Sequence, residues 1–223
     1  ADRTGETTTT MAVEAAKIAI ERAGTTADAI DFIIFATLSP DYYFPGCGVL
    51  LQRAMKMKEI GALDIRNQCS GFVYALSVAD QFIRTGMYKN ILLIGAEIHS
   101  YALDFSTRGR NVSVIFGDGA GAVILQRSED ENRGILSTHL HSDGNDAEIL
   151  SMPNPGFHLG FHKKEWQPEP SKQLFGGYFV NQELVDKQDM FPYMDGQAVF
   201  KRAVVKMPEV VREALEQNQL QAS

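Results

Sequence analysis

The chain has only two cysteines in 223 residues, Cys47 and Cys69. That is too few for a disulfide framework and fits a reducing cytosol. Long apolar runs are also missing. The longest candidates, Ile30 to Leu38 and Ile91 to Ala96, are strand-sized and fall well short of the ~18–20 residues of a membrane span. The opening Ala1-Asp2-Arg3-Thr4-Gly5 has neither a basic nor an apolar region, so no signal peptide is expected. Basic residues are outnumbered, 21 against 28 acidic ones, giving a net charge of −7. That balance argues against a general nucleic-acid or anionic-membrane binder, while leaving room for a local basic patch that meets a phosphorylated ligand.

What is present is ordinary for a globular chain: 44% apolar and 22% charged residues. A compact chain of this length buries roughly 70–75% of its unfolded surface. Thr7 to Ala23 reads as a helix with Met11, Ala15, Ile18 and Ala19 on one face and Gly24 as its stop. The β-branched run Asp31 to Thr37 reads as a strand buried on both faces. A helix is expected over Gly48–Met57 and a short strand at Ala62–Ile65. Past Cys69 the period turns helical, with Phe72, Ala75, Leu76, Ala79, Phe82 and Ile83 in one stripe and Gly86 at the end. Asn90 to Ala96 is the next buried strand. This alternation predicts an α/β sheet with parallel crossovers.

The pattern then changes. Val112–Phe116 and Ala122–Leu125 read as two strands paired around Gly117-Asp118-Gly119-Ala120-Gly121. The charged stretch Ser128–Arg133 suggests a boundary, with one half over 1–127 and a second over 128–223. Gly134 to His141 reads as a strand. Residues 145–193 read as a long inserted loop, which in a compact domain points to function or insertion. Gln197–Gln217 reads as a closing helix with Val199, Ala203, Met207, Val210, Val211 and Ala214 inward, kinked at Pro208.

Cys69 is the first candidate for chemistry. It lies where a strand hands over to an apolar helix, and the amides and dipole at a helix start favour a thiolate. Ser70 and Gly71 leave room beside the sulfur. Position alone fits either a nucleophile or a small buried hydrophobe. Cys47, between Gly46 and Gly48, reads as a packing residue. The glycine-rich 117–121 segment is not a dinucleotide fingerprint, because the strand-like Ala122-Val123-Ile124-Leu125 follows it where a helix is required. A tight turn with close backbone packing fits better. His139 and His141 would share a strand face but lack a third ligand at convincing spacing, so no metal is expected. His99, His158 and His162 have no chemical setting in the sequence. Lys201, Arg202, Lys206 and Arg212 cluster in the final helix at mixed angles, either as a docking site or as a solvated face.

Several segments together resemble the β-ketoacyl-[acyl carrier protein] synthase III family of condensing enzymes. They are Asn67-Gln68-Cys69-Ser70-Gly71-Phe72-Val73-Tyr74-Ala75-Leu76, Ser77-Val78-Ala79-Asp80-Gln81, Phe116-Gly117-Asp118-Gly119-Ala120-Gly121-Ala122, Ser137-Thr138-His139-Leu140-His141-Ser142-Asp143-Gly144, and Phe200-Lys201-Arg202-Ala203-Val204. The resemblance implies a thiolase-like layered α/β fold built from two similar βαβαβ halves, the second incomplete in this chain, and a homodimer. It implies that Cys69 accepts the acyl group. It also implies that Phe44 reaches a partner's acyl pocket, against the alternative of core packing, and that Phe116 walls that pocket. An arginine near the coenzyme A entrance is implied at Arg110, with Arg108 close enough to compete.

The implied reaction is a decarboxylating Claisen condensation of an acyl-CoA with malonyl-[acyl carrier protein], starting fatty-acid synthesis in the cytoplasm. Coenzyme A enters as a thioester substrate, and no resident cofactor is implied. The family uses a Cys-His-Asn set, and none of the five histidines here matches its histidine. The family's opening strand and the segment after the closing helix have no counterpart, so residues 1–223 alone are expected to be inactive. Two alternatives stand beside this reading: a relative that condenses long-chain, polyketide or signal-molecule precursors, and a non-catalytic partner subunit.

Overall fold

The structure is a computed structural model, and it describes residues 5–130, 133–152 and 190–222. Contacts divide the chain into two compact units, one of Ala1–Ser100, Gly117–Leu140 and Ala214–Ser223, the other of Tyr101–Phe116 and His141–Glu213. The boundary read at 127/128 therefore falls inside the first unit.

The first unit is a four-stranded sheet between helices. Strands β1 (Phe32–Ala36), β2 (Gly61–Ile65), β3 (Ile91–Glu97) and β4 (Gly119–Leu125) lie in the order β2-β1-β3-β4. The first three run parallel, in registers such as Ile34↔Leu63 and Ile34↔Leu93, and β4 runs antiparallel to β3. The apolar run in β1 is buried at every position because each face meets a helix layer. Ile33 and Phe35 join Leu92 and Ile94 against Ala12 and Ala16 of α1 (Thr8–Arg22) and Cys47 and Leu51 of α2 (Cys47–Ala54). Phe32, Ile34 and Ala36 join Ile91 and Leu93 against Ala75 and Ala79 of α3 (Gly71–Arg84). Each large side chain so buried contributes about 1.5–3 kcal/mol, which is why the sheet's centre holds the fold together.

Local chemistry sets the helix ends. Thr7 and Thr10 exchange side-chain and backbone hydrogen bonds in a capping box at the start of α1. Gly24 and Gly86 take positive φ just past α1 and α3, where a Cβ would be strained. The stripe along α3 is the expected one. In α1 it is turned by about one position: Ala12, Ala16 and Ile20 are buried, while Ile18 is 49% exposed. The period gave the helix but not which of two adjacent small-residue stripes faces the sheet.

Three other expectations are corrected. Val112–Phe116 and Ala122–Leu125 do not pair. Arg110–Ser113 forms a short helix, α4, and β4 instead pairs with β3 over seven residues, from Ile91↔Leu125 to Glu97↔Gly119. β-branched content is a weak guide when a long buried strand offers a complete hydrogen-bonding edge. Gly134–His141 is not a strand. Side chains tie it down instead, through Arg84 to the Ile135 carbonyl at 2.8 Å, Ser77 to Thr138 at 3.0 Å, and Asn218 to Ser137 at 2.6 Å. The 117–121 glycines are not closely packed either, since a Cβ on Gly117, Gly119 or Gly121 would meet nothing within 4 Å.

The second unit holds α4, a 3₁₀ turn at Gly144–Ile149, the two-residue pair β5 (Leu150–Ser151) and β6 (Tyr193–Met194), and most of α5 (Gly196–Gln217). Residues 153–189, most of the expected inserted loop, lie outside the described residues. Helix α5 runs on through Pro208, and none of its residues is buried. Val199, Ala203, Val210 and Ala214 are half-buried, whereas Met207 and Val211, also expected inward, are 67% and 56% exposed.

Candidate active site

The parallel strands direct their carboxyl ends to one edge of the sheet, where ligands of open α/β folds bind. Chain leaving β2 at that edge turns through Gln68–Gly71, closed by the Gly71 amide donating to the Gln68 carbonyl at 2.9 Å. Gln68 holds a positive φ of 35°, uncommon for a residue with a Cβ. Cys69 sits on this turn, next to Ser70, whose carbonyl accepts from the Val73 and Tyr74 amides to start α3. The helix start is seated on the strand ends. Gly71 packs over Ala36, and Gly95 leaves space for the Phe72 ring, which a Cβ there would approach to 3.2 Å. The Cys69 thiol is exposed. It is therefore not the small buried hydrophobe that its position also allowed.

Cys47 takes that role. It is fully buried at the first turn of α2, and burial pushes its thiol up, against weaker hydrogen bonds from the Asp41 backbone and the Thr9 side chain. Phe44 is 82% exposed, so it is not a core residue. Its ring meets Tyr43 edge-on at 6.3 Å. Cys69 and Phe44 lie in the first unit; Arg110 and Phe116 lie in the second. Phe116 is half-buried, and Arg110 is the exposed first residue of α4. The two competing arginines differ in what they touch. Arg108 pairs with Asp104 at 2.6 Å and lies 5.5 Å from the Phe191 ring centre. Arg110 makes no ion pair among the described residues.

Carboxylates that the sequence reading passed over organise the site edge. Glu97, at the end of β3, accepts hydrogen bonds from the loop that follows β1. Asp118 accepts from the His99 and Ser100 amides at 2.8 and 2.9 Å. Burial raises the Asp118 carboxyl, but the Ser100 hydroxyl and these amides outweigh it and hold it well below the usual carboxylate range. Asp64 of β2 accepts from the Gly48 amide at 3.1 Å and so caps α2. Its carboxyl is pushed up by burial, opposed by the Gly48 and Cys47 amides. The available signal was an acidic residue inside or ending an apolar strand run.

His139 bonds Ser137 at 2.8 Å, and His141 bonds Glu213 at 2.7 Å. No group of three or more His, Cys, Asp or Glu side chains among the described residues is placed to hold a metal ion. His158 and His162 lie outside them. Lys201, Arg202 and Lys206, read as set at mixed angles, line one hollow of about 370 Å³ with Asp146, Ala198 and Val205. Arg202 pairs there with Asp146, and Lys206 with Glu209 at 2.8 Å. No helix among the described residues is long and apolar enough to cross a membrane.

The fold is that of the thiolase-like condensing enzymes. A synthase III from Aquifex aeolicus aligns with a TM-score of 0.76 at 38% identity over 97% of this chain and 58% of its own. One from Thermus thermophilus aligns with a TM-score of 0.78 at 28% identity, over 99% and 60%. Within that class, residues 63–144 match the family model described as 3-oxoacyl-[acyl-carrier-protein] synthase III. The β-ketoacyl-[acyl-carrier-protein] synthase III of Aliivibrio fischeri is 41% identical over 218 residues, and that of Paramagnetospirillum magneticum 40% over 223. The family model, the relatives and the structures that this chain is similar to all carry the synthase III name. The chain spans 59–60% of the length of these two relatives while they cover 98% of it.

Proposed function

We propose that the full-length protein joins an acyl-CoA to malonyl-[acyl carrier protein] by decarboxylating Claisen condensation, initiating fatty-acid synthesis in the cytoplasm. One observation carries this reading: Cys69 is exposed on the turn that starts α3, at the carboxyl edge of the parallel strands, in a chain about 40% identical to synthases of this name.

In the first half-reaction the Cys69 thiolate attacks the thioester carbonyl of acyl-CoA. A new C–S bond forms, the bond to coenzyme A breaks, and coenzyme A leaves as its thiolate, which takes up the proton that Cys69 gave up. In the second, the malonyl thioester loses CO₂. The resulting carbanion attacks the acyl-Cys69 carbonyl and expels the Cys69 thiolate, leaving a β-ketoacyl thioester on the carrier. Both steps place negative charge on a carbonyl oxygen, which needs preorganised donors. The Cys69 backbone amide, one residue ahead of the α3 cap, is one such donor. Coenzyme A is a leaving group in this chemistry rather than a resident cofactor. Arg110 suits the phosphates of coenzyme A better than Arg108, whose guanidinium is engaged by Asp104. Phe116 serves as a pocket wall, and Phe44, exposed on its loop, serves as the residue that enters the acyl pocket of a second subunit in a homodimer.

The test is incubation of the full-length protein with a radiolabelled acyl-CoA, followed by peptide mass spectrometry. A thioester adduct on the Cys69 peptide is expected. No adduct, or one that survives Cys69→Ala, would overturn the reading.

A further inference from the structure

We propose that Glu97 is a positioning residue for the acyl-binding site, acting through the loop that carries Phe44. This rests on the reading of Phe44 as an acyl-pocket residue. The loop leaves β1 at Thr37 and enters α2 at Cys47. Four donors converge on the Glu97 carboxylate from its first residues. The Leu38 amide donates to Oε1 at 2.9 Å. The Ser39 amide and the Thr37 hydroxyl donate to Oε2 at 3.1 and 3.2 Å, and the Ser39 hydroxyl donates there too. Ser39 Oγ also accepts from the Ile98 amide at 2.9 Å, so loop and strand are joined twice.

The next residues are held from the other side. The Thr8 hydroxyl donates to the Ser39 carbonyl at 2.6 Å. Asp41 accepts from the Thr7 hydroxyl at 2.9 Å and the Thr9 amide at 3.1 Å. Beyond the tip, Asp64 holds the start of α2 through the Gly48 amide. Between these anchors Tyr42, Tyr43 and Phe44 are 55%, 59% and 82% exposed. Three aromatic rings in water on a loop tied at both ends are a surface preorganised for contact, because apolar area left in water gains free energy only when something covers it. Preorganisation removes the ordering cost that a free loop would meet on binding.

The donor count makes the ionised carboxylate specific. A carboxylate accepts on two oxygens, with about four lone-pair sites. Glutamine has the same shape but accepts on one oxygen only. With that oxygen toward Ser39 and Thr37, its NH₂ faces the Leu38 N–H donor against donor. Hydrogen bonds to a charged acceptor are also the stronger ones.

The experiment compares the full-length protein with Glu97→Gln and Phe44→Ala. Hydrogen exchange reads the 38–45 backbone. Kinetics read the ratio of kcat/KM for a long-chain against a short-chain acyl-CoA in acylation of Cys69. Glu97→Gln should speed exchange at Leu38 and Ser39 by about ten-fold, the scale of one lost charge-assisted hydrogen bond. It should also move the chain-length ratio in the direction Phe44→Ala moves it. A ratio that shifts in Phe44→Ala but not in Glu97→Gln overturns the role of Glu97 and leaves the reading of Phe44 standing. A ratio unmoved in both overturns the reading and the inference together. If Glu97→Gln does not fold, Ser39→Ala, which removes only the hydroxyl between Glu97 and Ile98, should shift the ratio the same way by less. No shift in that variant, with Phe44→Ala active on the ratio, also overturns the proposal.

Discussion

Cys47 and Cys69 stand at the starts of two helices packed on opposite faces of one sheet and differ in exposure: the first is fully buried within α2, and the second is exposed ahead of α3. Reactivity should divide the same way. Burial keeps the Cys47 thiol in its neutral form and out of reach. Iodoacetamide on the native protein should alkylate Cys69 and spare Cys47 until denaturant is added, as read by peptide mass spectrometry. Equal modification of both without denaturant would contradict this arrangement.

Asp64 reaches across from β2 to cap α2, and glycine at 48 is what lets it approach. A Cβ on Gly48 would lie 2.9 Å from the Asp64 carboxylate and 3.2 Å from the Ala62 Cβ. Gly48→Ala should therefore destabilise the fold by about 1–3 kcal/mol, the usual cost of overpacking. Asp64→Ala should cost about 0.5–2 kcal/mol through the lost cap. Urea denaturation of both variants checks the order, and an unchanged midpoint for Gly48→Ala would show that the cap is not close-packed.

Asp104 offers a pH test. Its carboxyl is held down to about 2 by the Ser106 hydroxyl and amide first and by Arg108 next. A depressed folded pKa means that the native state holds its charge below the pH at which the unfolded chain takes up a proton. The clasp is thus fully present above the ordinary carboxylate value and is lost as pH falls through about 2. Carboxyl NMR titration should place Asp104 there. Both Ser106→Ala and Arg108→Ala should raise it. An unmoved titration in either variant would remove that residue from the clasp.

Carrier docking is the next expectation. An acidic carrier meeting a chain of net charge −7 needs a local patch of the opposite sign. Lys201, Arg202 and Lys206 line one hollow, where Arg202 pairs with Asp146 and Lys206 with Glu209, and they are the patch proposed for this role. In the full-length protein, Lys201→Glu combined with Arg202→Glu should raise the KM for malonyl-carrier protein at low salt. Acylation of Cys69 by acyl-CoA should change little. The effect should shrink as salt rises, since exposed charges are screened over ~8–10 Å. An unchanged KM at low salt would remove α5 from the docking surface.

Elements defined by their own period were legible in the sequence. The continuous run of β1, the seven residues of β3 and the stripe of α3 each need only a buried face, and no other regular structure satisfies those patterns. The strand-to-helix turn at Cys69 was legible for the same reason, because the period changes from 2 to 3.6 within a few residues. Position gave the place of Cys69 but not its exposure, and the role proposed for it comes from the motif resemblance.

Tertiary structure decided everything that depended on a distant partner. β4 could have paired within a hairpin, but its hydrogen bonds go to β3, already buried and parallel on its other side. The inward face of α1 was chosen by the sheet beneath it, since adjacent stripes of small residues look alike in sequence. Ser39 and Glu97 are 58 residues apart, and no local pattern connects them. Hydrogen bonds from backbone amides carry no side-chain signature, so the carboxylates that fasten the site edge became visible only when folding brought Glu97, Asp41, Asp64 and Asp118 to the amides they hold.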